Sequence, residues 1–248
     1  MAVYDLEEQE QIDELKVWWQ RYGHWLTAAV LVVTLAVAAW QGWNWWQRNQ
    51  AKQAGALYVV VEEAARGRDA KRTREAAGEL IAKFPGTAYA SMGALLSARL
   101  QMDVADTQTA KAQLSWAVEH APDPGLRDLA RIRLASLYFG EKAYDEALKQ
   151  LAAEHTLPFA PRFEELKGDV LSAQGKSAEA RAAYQMALNK LDELQKSAGT
   201  AQRPGPYREL LQVKLDAQHA AAPVVSVAPA ATAASAAAPA ADHKGTQP

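Results

Sequence analysis

From Tyr22 to Gln47 the chain carries no Asp, Glu, Lys or Arg, and the centre of this stretch, Trp25 to Trp40, reads WLTAAVLVVTLAVAAW. As a helix these 16 residues span about 24 Å at 1.5 Å per residue, slightly less than a bilayer's hydrocarbon core. The ends supply the difference. Trp18, Trp19, Tyr22 and Trp25 flank one side and Trp40, Trp43, Trp45 and Trp46 the other, at the depths where indole rings prefer to sit. Seven of the eight tryptophans fall in this region, a concentration that core packing would not produce. Seven Leu or Val residues between Leu26 and Val37 favour insertion by roughly 2 to 4 kcal/mol. A cleaved signal peptide would share the apolar run and a small-residue site at Ala36-Val37-Ala38, but it would begin with a basic segment. Residues 1–21 instead carry Asp5, Glu7, Glu8, Glu10, Asp13 and Glu14 against Lys16 and Arg21. An uncleaved transmembrane helix over 22–47 is the expectation. Lys16 and Arg21 on one side balance Arg48 and Lys52 on the other, so charge does not fix the orientation.

Before this span, Leu6, Ile12, Leu15, Trp18 and Trp19 recur at helical spacing among acids, which predicts an amphipathic lead-in over 5–21. After it, Arg48 to Arg66 has no proline and is rich in Ala, Gln, Leu and Glu, so the helix is expected to continue to about Gly67. From there to Gln195 helical segments are cut by short breaks at 67–69, 85–86, 103–106, 122–125, Gly140, 158–161 and 175–177. No segment alternates with strand period. The fold class is therefore all-α, with one N-terminal transmembrane helix before a helical repeat domain.

The repeat is visible in the spacing. Leu134-Ala135, Tyr138, Ala147 and Leu151 return 33 residues later as Lys167-Gly168, Leu171, Ala180 and Tyr184. The second copy fits the 34-residue tetratricopeptide helix-turn-helix pattern, in which small residues let paired helices approach. A third copy lies upstream at Ala110, Leu114 and Ala117, and a looser one ends at Phe84-Pro85. Pro204 to Gln218 reads as a terminal capping helix. Beyond it, Ala, Pro, Val and Ser dominate, and a disordered tail is expected. The predicted division is thus a tail at 1–21, the anchor at 22–47, the repeat domain at 48–218 and the Ala/Pro-rich tail at 219–248.

Chemistry finds little footing. The net charge of −2 gives no basic footprint for nucleic acid, and the absence of cysteine removes thiolate sites and disulfides. Gly175-Lys176-Ser177 matches the end of a phosphate-binding loop, but the glycine required five residues earlier is Val170. No two of the five histidines stand at i, i+4, so neither a metal nor a cofactor is expected. Asp128, Asp145, Glu146, Glu164 and Glu165 are predicted on solvated helix faces. The expected role is binding rather than catalysis. In the repeat register, Leu129, Ile132, Ser136 and Phe139 of one unit and Arg162, Glu165, Asp169 and Ser172 of the next point toward a partner groove; core packing is the competing account of the apolar three.

The start YDLEEQEQIDELKVWW, the anchor closed by Gly42-Trp43, and FPGTAYASMGALLSARL at 84–100 ahead of the repeats together resemble the YfgM family of ancillary SecYEG translocon subunits. The resemblance covers about residues 4–217. It implies a single-pass bacterial inner-membrane protein with a cytoplasmic N-terminus and a periplasmic repeat domain. It further implies association with the SecYEG translocon, contact with a periplasmic chaperone of prolyl-isomerase type, and a link to a cytoplasmic response regulator through the N-terminal tail. Membrane lipid is the partner expected at the tryptophan belts. The alternative is a periplasmic scaffold for envelope assembly or stress signalling without translocon contact.

Overall fold

The computed structural model describes residues 4–197 and 205–220, with side chains for 16–197 and 205–218. Every regular element among them is helical. Helix α1 (Tyr4–Arg66) is followed by α2 (Ala70–Lys83), α3 (Ala88–Asp103), α4 (Thr107–His120), α5 (Pro124–Gly140) and α6 (Tyr144–Leu151). A single 3₁₀ turn (Leu157–Phe159) leads into α7 (Ala160–Ala173), then α8 (Ser177–Ser197) and α9 (Pro206–Ala220). The expected Ala/Pro-rich disordered tail lies almost wholly outside the described residues, as do the side chains of the acidic lead-in up to residue 15.

The helices pair in sequence, and α1, α3, α5 and α7 also touch one another in turn, so they form one layer with α2, α4, α6 and α8 on its other side. That is the arrangement of a stacked helix-hairpin array. The repeat positions carry the packing. Ala98 and Ala110, Ala135 and Ala147, and Gly168 and Ala180 are buried pairs, each twelve residues apart across a hairpin turn. Gly168 shows why the position must be small: a Cβ there would lie 2.5 Å from Cε1 of Tyr184. The core is divided accordingly, one cluster around Ala54, Val61 and Leu80, the next around Leu95, Leu114 and Leu134, then Leu151, Phe163 and Val170, then Leu171, Ala180 and Tyr184, and a last one around Leu188 and Leu211.

The turn closing each hairpin is built the same way. Helices α1, α3, α5 and α7 end on left-handed residues Arg68, Ala105, Lys142 and Gly175, with φ of 55°, 61°, 62° and 76°. In each case the next amide reaches back five residues to a carbonyl of the helix, as Asp69 to Ala64, Asp106 to Gln101, Ala143 to Tyr138 and Lys176 to Leu171. This is the paired bonding that satisfies the orphan carbonyls of a helix C-terminus. Asp69, Asp106 and Asp123 then cap α2, α4 and α5 by accepting from the amides of Arg72, Thr109 and Leu126.

Candidate interaction surface and membrane anchor

Helix α1 contains the stretch that is long and apolar enough to cross a membrane, and almost none of that stretch is covered by the rest of the chain. Val30, Leu31, Val32, Val33, Leu35 and Val37 are all more than half exposed. So are, or nearly so, the seven belt tryptophans Trp18, Trp19, Trp25, Trp40, Trp43, Trp45 and Trp46. They cluster locally: Trp18 lies 5.8 Å from Tyr22 and Trp43 5.3 Å from Trp46, ring centre to ring centre. An apolar column of this length left bare by the protein needs another apolar phase around it. The helix does not stop at the second belt. It runs on without a break until Ala54, Val61 and Ala64, spaced at helical intervals, are buried against α2 and α3.

The eight groove positions fall into two environments. Leu129 packs on the core around Leu114 and Leu134, while Ile132 and Phe139 pack on that around Phe163 and Val170, so these three belong to the interface of α5 with its neighbours. Ser136 is exposed, its hydroxyl donating to the Ile132 carbonyl at 2.8 Å. The four positions on α7 converge instead on α9. Lys214 Nζ donates to Glu165 Oε1 and to both Asp169 carboxylate oxygens, each at 2.8 Å. Gln218 Nε2 donates to Ser172 Oγ at 2.7 Å. Arg162 lies over the Tyr207 ring, 4.5 Å from its centre, and donates to Glu165 Oε2 at 3.0 Å. Tyr184 completes the cluster by donating to Asp169 Oδ1 at 2.8 Å.

The electrostatics of this cluster are reciprocal. Burial pushes the Glu165 carboxyl up, but the hydrogen bond and charge of Lys214, helped by Tyr207 and Arg162, outweigh it and hold Glu165 below the usual range. Burial likewise pulls Lys214 down, and Asp169 and Glu165 more than compensate, so its ammonium is held above the usual range. Burial and the neighbouring carboxylates keep the hydroxyls of Tyr184 and Tyr207 protonated far into alkali. The cluster is a fastening for α9, and its α9 half, Tyr207, Lys214 and Gln218, was not marked by any motif.

Two acids predicted on solvated faces are buried instead. Asp128 is 2% exposed because its Oδ2 accepts from both the amide and the hydroxyl of Thr156, tying the α6–α7 connection to α5. Glu165 is 6% exposed under Lys214. Short carboxylates embedded in a helical period look alike to sequence whether their partner is water or a segment 28 or 49 residues away. Asp145 and Glu146 are exposed as expected, and Glu164 is partly covered, 3.6 Å from Lys167. Among the described residues no three His, Asp or Glu side chains gather as a metal site would require.

A family model described as a tetratricopeptide repeat-like domain matches residues 16–220. The ancillary SecYEG translocon subunit of Neisseria gonorrhoeae is 33% identical over 215 residues, 85% of this chain and 97% of the relative. Proteins of the same name from Haemophilus influenzae and Escherichia coli are 28% and 26% identical, over 77% and 75% of this chain and 94% and 88% of their own lengths.

Proposed function

The chain belongs to the YfgM family of ancillary SecYEG translocon subunits, built on a tetratricopeptide repeat-like domain, and from that membership we propose that it is a membrane-anchored protein–protein interaction module attached to the translocon. In this reading α1 spans the bacterial inner membrane with its N-terminus in the cytoplasm, lipid headgroups meet the tryptophan belts, and the repeat domain stands in the periplasm. There it helps pass translocated polypeptides to periplasmic chaperones, one of prolyl-isomerase type among them. The acidic N-terminal segment is the surface offered to a cytoplasmic response regulator. Exposed Ser136, and the α7 residues Arg162, Glu165, Asp169 and Ser172 once α9 is displaced, are the groove positions offered to a polypeptide partner.

The observation that carries this reading is the unbroken passage of α1 from an uncovered apolar column into the first packed hairpin. An interaction surface held this way has a high local concentration beside whatever the anchor binds, so even weak contacts are populated. The test is a mild-detergent pull-down of the tagged full-length protein and of a form beginning after Gln47, with mass spectrometry of what accompanies each. Channel subunits and a periplasmic chaperone are expected with the full-length protein, and the channel subunits are expected to be lost from the shorter form. Recovery of envelope-assembly proteins alone, by both forms, would overturn translocon attachment and leave a periplasmic scaffold.

A further inference from the structure

A cleft of about 280 Å³ opens between the last turn of α1 and the C-terminal half of α3. Arg66, Arg68 and Arg99 line it with Glu62 and Asp103, over a floor that includes Leu96 and Leu100. The acids do not neutralise it. Glu62 is already paired with Arg66 one turn along α1, at 3.3 Å. Among the described residues Arg99 has no carboxylate within ion-pair distance, not even Asp103 one turn further on. Behind it stands a further guanidinium, Arg133 of α5, held in place by donating to the Leu95 carbonyl at 3.1 Å. Burial and the charge of Arg99 both bear on Arg133 in the same unfavourable sense. A guanidinium cannot relieve such crowding by losing its proton, and the three guanidiniums of the lining outnumber its two carboxylates, so one positive charge there is left for an anion from outside.

We infer that this cleft binds the carboxylate of an acidic peptide segment, held by Arg99 and Arg68 with Arg133 as background charge, while an apolar neighbour in the peptide rests on Leu96 and Leu100. Planar guanidinium forks suit a carboxylate, which they can grip through two parallel hydrogen bonds. A lipid headgroup is too far away. Arg66 lies 20 residues beyond Trp46, about 30 Å along a continuous helix. The headgroup layer is only about 5 to 8 Å deep, and charges are screened over about 8 Å at physiological salt. The inference rests on the repeat domain being a polypeptide-binding module, and it names the chemistry that module selects.

The test uses the full-length protein in nanodiscs and two fluorescent octapeptides of alternating residues, one Glu-Leu and one Gln-Leu, read by anisotropy. The Glu peptide is expected to bind at least tenfold more tightly, with the difference shrinking as salt rises. The double variant Arg68→Gln/Arg99→Gln is expected to lose that preference while keeping its thermal unfolding temperature, since among the described residues neither side chain has a hydrogen bond or ion pair. Equal binding of the two peptides, or an undiminished preference in the double variant, overturns the proposal. A pull-down of the same double variant separates the two readings: channel subunits retained with Glu-peptide preference lost supports the cleft independently of the anchor. Channel subunits absent even from the unaltered protein, with the preference intact, would sink translocon attachment and leave the cleft standing.

Discussion

At Arg68, Ala105 and Lys142 the chain accepts a left-handed backbone on residues that carry a Cβ, where the equivalent position in the last hairpin holds Gly175. Such a residue costs roughly 1 to 2 kcal/mol relative to ordinary helical backbone, and glycine escapes most of this. Lys142 is exposed and, among the described residues, its side chain makes no hydrogen bond or ion pair to offset the strain. Lys142→Gly is therefore expected to stabilise the domain by about 1 kcal/mol and Gly175→Ala to destabilise it by a similar amount, both read from thermal unfolding. Equal and small effects of the two changes would show that the turns relax rather than hold their geometry. Gly175 was readable as a turn because glycine signals one. Arg68 and Ala105 fall inside the breaks read at 67–69 and 103–106, and Lys142 two residues past the one at Gly140, but their left-handed backbone was not readable, since Arg, Ala and Lys favour helix and the conformation is imposed by the return of the next amide to the helix end. Gly168 was readable for the opposite reason: the repeat spacing marked a small position, and the Tyr184 ring fills the space a side chain would need.

At the scale of an element, α9 is held by charge as well as by Leu211, which is fully buried against Leu188. The repeat register identified one face of α7, but register gives direction along a helix and not the identity of what lies opposite. That required the approach of a segment 45 to 49 residues away. The pH dependence of this attachment follows from the shifts. Glu165 is held below its ordinary 4.5, so its contribution is complete above that value and is lost as pH falls through the lowered one. Lys214, Tyr184 and Tyr207 are held above their ordinary values, so their contributions are complete below about pH 10 and are lost in stronger alkali. Lys214→Met leaves Asp169 without a cation and Glu165 with Arg162 alone, which should cost about 3 kcal/mol at neutral pH. It should also reverse the acid limb: protonating Glu165 would now relieve the site, so α9 of the variant gains protection as pH drops toward 5 while that of the unaltered protein is flat or falling. Hydrogen exchange of the α9 amides measures this. A variant whose exchange follows the unaltered protein across that range would mean that Leu211 packing alone fastens the helix.

At the scale of the whole molecule, the membrane column and the first repeat helix are one element, and this fixes how the domain stands. Ala54 lies only eight residues beyond Trp46, about 12 Å of helix, and no left-handed residue interrupts them. Composition made this continuity legible, because the stretch after Arg48 has no proline and few helix breakers. Gly55 does not break it, since the Tyr89 ring lies against its open side, where an added Cβ would sit 3.4 Å from Cζ of Tyr89. The domain's facing is then set by helical phase. Two alanines inserted after Asn49 should turn it by about 200° and raise it by about 3 Å, whereas four should turn it by about 40° beyond a full circle and raise it by about 6 Å. With a photocrosslinker at Val59, an exposed position on the same helix, crosslinking to channel subunits should fall sharply with two alanines and largely return with four. A Gly-Ser pair at the same place should weaken the phase dependence without abolishing contact. Indifference to all three insertions would mean that the domain finds its partner by free rotation, and that the straight helix has no part in presenting it.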